Sequence, residues 1–86
     1  MSGDLHKHSK VRQIVIGVFK EKFSKQNISE KDNFFDLGVS SLSIVELQIK
    51  IEKLLDLNIA TSELMKRPSI MEWIDIYTNK YKEYMK

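Results

Sequence analysis

The sequence predicts an all-α fold, a small four-helix bundle with a short third helix, occupying residues 1–86 as a single domain. Three observations carry that expectation. One proline and three glycines in 86 residues leave long stretches without breakers. Apolar residues make up 42% of the chain, and they recur at spacings of three and four. No stretch alternates apolar and polar strictly enough to compete as a strand.

The first helix is read from about Leu5 to Ser24. Val11, Ile14, Val15, Val18 and Phe19 share one stripe, Phe23 extends it, and basic residues fill much of the rest. The polar stretch Ser24 to Asn33 breaks the pattern, with room for one short turn. Phe34-Phe35-Asp36-Leu37-Gly38 then leads two aromatics and a leucine into a glycine turn. The second helix is placed from near Ser41 to about Leu57. A short third segment, Thr61 to Lys66, opens on Thr61 as N-cap and is ended by Pro68. Ser69 caps the fourth helix, with Glu72 completing a capping box. Ile70, Ile74, Tyr77, Tyr81 and Tyr84 form its buried stripe, and Trp73 is read as core packing.

Composition closes off several functions. Without cysteine there is no disulfide, no thiolate nucleophile and no Cys-based zinc site. His6 and His8, the only histidines, lie in a charged N-terminal stretch. Apolar runs of a few residues fall far short of the roughly 20 a membrane span needs, and no secretion signal opens the chain. The expectation is a cytoplasmic, soluble monomer. Net charge is +2, but it is unevenly spread. Residues 1–25 carry six basic and two acidic groups, residues 26–65 three and seven, and residues 66–86 five and three. The chain is basic at both ends and acidic through its middle.

The second helix has two apolar faces. At about 100° per residue, Ile44, Leu47, Ile51, Leu54 and Leu55 cluster on one side as a core stripe. Leu42, Val45 and Ile49 land almost opposite, at i, i+3 and i+7. Either a loop covers this outer strip or another protein docks on it. Glu46 and Glu52 flank it, offering a basic partner an orientation.

Before this helix stands Asp36-Leu37-Gly38-Val39-Ser40-Ser41-Leu42. A serine at a helix N-terminus meets free backbone N–H groups and the positive end of the dipole, which suit a phosphodiester. The plainer role is capping, which Ser40 or Ser41 can fill, and Ser43 with Glu46 can form a capping box of its own. Both histidines are remote in sequence, so a hydrolytic serine would need the fold to place one beside it by chance.

The run Phe34-Phe35-Asp36-Leu37-Gly38-Val39-Ser40-Ser41-Leu42-Ser43-Ile44-Val45-Glu46-Leu47 resembles the phosphopantetheine attachment motif of acyl and peptidyl carrier proteins. Thr61, Leu64 and the Pro68-Ser69-Ile70 step resemble the family's third helix and the start of its fourth, so the likeness spans about Asn33 to Ile74. It implies a non-enzymatic carrier, with 4'-phosphopantetheine attached covalently to Ser41 from coenzyme A by a phosphopantetheinyl transferase. It further implies that Leu42, Val45, Glu46 and Ile49 meet partner enzymes: an adenylating or loading enzyme, then condensation, tailoring or thioesterase enzymes. Acyl or aminoacyl groups would travel as thioesters.

Departures from the pattern bear on subclass. Val39 replaces the second glycine common in peptidyl carriers, and Ser40 replaces the aspartate usual before the modified serine of fatty-acid carriers. Phe34-Phe35 and the modest charge lean towards a free-standing peptidyl carrier of nonribosomal peptide synthesis, since neither end is a Pro- or Gly-rich linker. Val45-Glu46-Leu47 leans towards an acyl carrier of polyketide or fatty-acid type. A nucleic-acid-binding domain fits less well. A groove-reading helix carries Lys or Arg near its start, whereas these helices open Ser-Leu-Ser-Ile-Val-Glu and Ser-Ile-Met-Glu. A plain interaction module using Leu42, Val45 and Ile49, with Ser41 unmodified, is the remaining alternative.

Overall fold

A computed structural model describes the backbone of residues 2–24 and 27–84, and the side chains of residues 10–24 and 27–83. Four helices follow in order: α1 Ser2–Lys22, α2 Ser41–Leu55, α3 Thr61–Met65 and α4 Ile70–Tyr84. Among the described residues there is no strand. α1 packs most extensively on α4 and next on α2, while the short α3 leans on α2. The all-α expectation holds, with α1 beginning three residues earlier than periodicity placed it.

The core forms where the apolar stripes of the three long helices meet. Val11, Val15, Val18 and Phe19 enter from α1, Ile44, Leu47, Ile51 and Leu55 from α2, and Ile70, Trp73, Ile74 and Tyr77 from α4. Trp73 is its centre. Its ring meets Phe19 edge-on at 5.2 Å and Phe34 at 5.5 Å, and its indole N–H donates to Leu64 O at 3.1 Å. The carbonyl of α3 thus gives the buried indole the acceptor it requires. Tyr81 is half-buried, and Tyr84's side chain lies outside the described residues.

Three local expectations are corrected. Leu54 is 60% exposed: it lies about 60° from Ile51 on the wheel, at the stripe's edge. Thr61 is not an N-cap. Ala60 occupies that position without a side-chain bond, and the Thr61 hydroxyl donates to Gln48 Oε1 at 2.7 Å. Of the box at α4, only the forward half exists. Ser69 Oγ accepts from Glu72 N at 3.2 Å, but the Ser69 N–H goes to Arg67 O at 3.0 Å.

Glycine at position 17 stands in the middle of α1, exposed, where an added Cβ would meet nothing within 4 Å beyond its own stretch of helix backbone. Mid-helix glycine costs about 1 kcal/mol against alanine, and no neighbour opposes the added methyl. Gly17→Ala is expected to raise stability by about 0.5–1 kcal/mol, read as a higher urea midpoint at unchanged slope.

A polar cluster that periodicity did not reveal ties α2 to α4. Glu52 Oε2 accepts from Gln48 Nε2 (3.0 Å), Ile59 N (3.1 Å) and the Tyr77 hydroxyl (3.0 Å). Gln48 is buried and also donates to Ile59 O at 2.7 Å. The segment linking α2 to α3 is thereby fixed. Burial, and then the charge of Glu52, push the Tyr77 phenol far above its ordinary range. A raised native pKa means stability is full below the unfolded value of about 10 and falls as pH rises beyond it. Tyr77→Phe is therefore expected to lose about 1–2 kcal/mol at pH 7 and to lose the wild type's extra destabilisation above about pH 10, measured by urea melts across pH.

Candidate attachment site and outer face of α2

The turn before α2 is a single helical turn closed at both ends. At its start, Asn33 Oδ1 accepts from Phe35 N at 2.9 Å and Asp36 N at 3.3 Å. At its end, Gly38 N donates to Phe35 O and Val39 N to Phe34 O, both at 3.1 Å. That pair of bonds is the Schellman arrangement, with Gly38 in the left-handed position at φ 88°. The apolar contact such a motif favours has its two members here in Phe34 and Val39, both buried in the core. Phe34 N also donates to Pro68 O at 2.9 Å, anchoring the turn to the approach to α4. This explains the order aromatic, two residues, leucine, glycine, valine. One aromatic anchors, the glycine reverses the chain, and the valine returns to the core.

The chain leaves that motif straight into α2, and the three serines there take different positions. Ser40 is the N-cap, with extended backbone and its Oγ accepting from Ser43 N at 3.2 Å. Ser43 lies inside the first turn and shares a 3.2 Å bond with the Ser40 hydroxyl. Its capping-box reading with Glu46 fails, because Glu46 pairs with Lys22 of α1 at 2.5 Å instead. Ser41 is the first helical residue and exposed. Among the described residues its hydroxyl has no hydrogen-bond partner, and the N–H groups of Ser41 and Leu42 have none either. The first turn of α2 contains no acidic residue. An anionic group on Ser41 Oγ therefore meets unpaired donors and the positive helix end, with no carboxylate competing. The residues present fit a phosphodiester.

The outer strip is open. Leu42 is 68% exposed and Ile49 57%, while Val45 is half-buried. Leu37, on the turn before α2, is a further exposed apolar residue at 44%, one that helical periodicity had no means of assigning. No loop covers the strip among the described residues. Glu46 remains on the surface, held by Lys22. Glu52, half-buried, lines a surface pocket together with Ile49 while its carboxylate accepts from Tyr77 and Ile59 N. A metal site is not formed: among the described residues no group of His, Cys, Asp or Glu could hold an ion. Nor is any described helix long and apolar enough to cross a membrane. The side chains of His6 and His8 lie outside the described residues.

A family profile described as phosphopantetheine attachment site matches residues 9–76. The chain belongs to this family. The match runs from within α1 into the first half of α4, so it takes in α2, α3 and the serine-bearing turn together. Phosphopantetheine carrier domains hold 4'-phosphopantetheine covalently, are not enzymes, and work with phosphopantetheinyl transferases and synthetase enzymes. A hybrid PKS-NRPS synthetase, pyvA, of Aspergillus violaceofuscus is 30% identical over 53 residues, 62% of this carrier chain. The chain spans about 1% of that protein's length. No solved structure matches this carrier chain.

Proposed function

We propose that Ser41 carries the phosphopantetheine arm and that the chain shuttles aminoacyl or peptidyl thioesters between the enzymes of a nonribosomal peptide pathway. The observation that carries the assignment is the division of labour at the start of α2. Ser40 is occupied as the cap, Ser43 is drawn into the helix, and Ser41 alone of the three stands exposed without a partner among the described residues. When bound, the arm supplies a terminal thiol, which this cysteine-free chain lacks, to hold cargo as a thioester.

The chain's own residues supply the rest. The doubly capped turn fixes where the Ser41 hydroxyl emerges, and the free N–H groups of α2 hold the charge at its oxygen. Leu42, Val45 and Ile49 offer a transferase or loading enzyme an apolar strip beside that hydroxyl. Ile49→Asp is expected to weaken loading by the cognate adenylating enzyme by about tenfold, the order of one buried apolar contact, with an unchanged circular dichroism spectrum. Unchanged loading for both Ile49→Asp and Val45→Asp would remove the strip from the docking surface.

Support for the peptidyl subclass comes from Phe34-Phe35, the absence of an aspartate at position 40 and the low net charge. The name of the fungal relative joins polyketide and nonribosomal halves, and Val45-Glu46-Leu47 favours an acyl carrier as the second reading. Offering the arm-bearing protein to an amino-acid-adenylating enzyme and to an acyl-transferring one, and weighing the product, separates them. An aminoacyl mass gain supports the first reading, and an acyl gain alone supports the second.

A further inference from the structure

A second groove lies on the far side of α1 from α2. Arg12, Ile16 and Lys20 recur every four residues along one stripe of α1. On the wheel that stripe is roughly opposite Val18, Glu21 and Lys22, which face α2. The groove's other walls are the loop at Ile28 to Lys31 and the start of α4 at Met71. The loop wall is held in place, since Glu30 O accepts from Met71 N at 3.0 Å and the Glu30 carboxylate pairs with Arg12 at 2.6 Å. Ile16 and Ile28 are only half-buried, and Met71 is 39% exposed. Arg12 and Glu30 neutralise each other, which leaves Lys20 and Lys31 as the net charge. Among the described residues neither makes an ion pair.

We propose that this groove docks an acidic amphipathic segment of a partner polypeptide. Its apolar residues would cover Ile16, Ile28 and Met71, and its carboxylates would meet Lys20 and Lys31. An apolar floor and a fixed carboxylate disfavour a phosphate backbone, and no aromatic side chain lines the groove to stack a base. Lys20 of α1 thereby acquires a use that attachment at Ser41 does not explain. Lying on the opposite side of α1, the groove can stay occupied while partners exchange on α2, and linked sites of that kind raise effective concentration. The proposal does not depend on the arm, so Ser41→Ala protein serves equally and failure here leaves the carrier reading untouched.

The test titrates isotope-labelled full chain with two helical peptides of about 14 residues that share one leucine stripe, flanked by Glu in one and Gln in the other. Single-stranded DNA of about 12 nucleotides is a third arm. The Glu peptide is expected to shift the amides of Ile16, Lys20, Lys31 and Met71, leaving Leu42 and Ile49 in place. It should bind about tenfold tighter than the Gln peptide, with that advantage lost in Lys20→Glu/Lys31→Glu and reduced by salt. Equal binding of the two peptides, shifts centred on α2, tighter binding of DNA, or shifts that track protein concentration alone would each overturn it.

Discussion

Trp73→Ala is expected to lose about 3–5 kcal/mol of stability, the range for deleting a large buried aromatic. A domain of 86 residues has roughly 4–13 kcal/mol in total, so the variant is left near the threshold of folding. The loss is steep because no neighbour can close the hole. Phe19, Phe34 and Tyr77 all pack ring edges or faces on the indole, and each comes from a different element or turn of helix. Trp73→Phe keeps most of that volume and forfeits the bond to Leu64 O, with about 1–2 kcal/mol expected. The effect reaches the site, because Phe34 begins the capped turn that delivers Ser40 and Ser41. Urea melts of the three proteins check the order; a loss below about 1.5 kcal/mol for Trp73→Ala would show that the core relaxes around it.

The second large effect is chemical and is expected to cost no stability. Ser41→Ala should take up no phosphopantetheine from coenzyme A, magnesium and a broad-specificity transferase, while melting like wild type. Its side chain is exposed and makes no bond among the described residues, and alanine is the better helix former. Ser40→Ala should behave in the opposite way. It removes the acceptor for Ser43 N and is expected to lose about 1 kcal/mol, yet still receives the arm. Adjacent serines thus give opposed signatures, one in mass and one in stability. A Ser40→Ala variant that folds but stays unmodified, with the wild-type group mapped to Ser41, would show that the cap orients the hydroxyl for the transferase.

Much of this was legible in the residues. The helices announced themselves by period, and the outer strip by the failure of Leu42, Val45 and Ile49 to share a face with Ile44 and Ile51. What periodicity could not reveal was which serine capped α2, because capping depends on where the backbone turns helical. That point is set by Gly38 and Val39, through a motif closed by main-chain bonds. The polar cluster on α2 was hidden for a related reason. Glu52 and Gln48 lie between the core stripe and the outer strip, where a wheel cannot tell a solvated carboxylate from one that takes three donors from α2, the following segment and α4. Leu54 erred the other way, at a stripe edge that no described element covers.

The most direct measurement is the position of the added mass on the wild-type protein. After reaction with coenzyme A and the transferase, trypsin is expected to release residues 32–50 as one peptide, since Lys31 and Lys50 bound a stretch free of Lys and Arg. That peptide contains Ser40, Ser41 and Ser43 together. Fragmentation is expected to place a single phosphopantetheine on Ser41. A protein of unchanged mass with a transferase proven on another carrier, or the group on Ser40 or Ser43, would contradict the assignment.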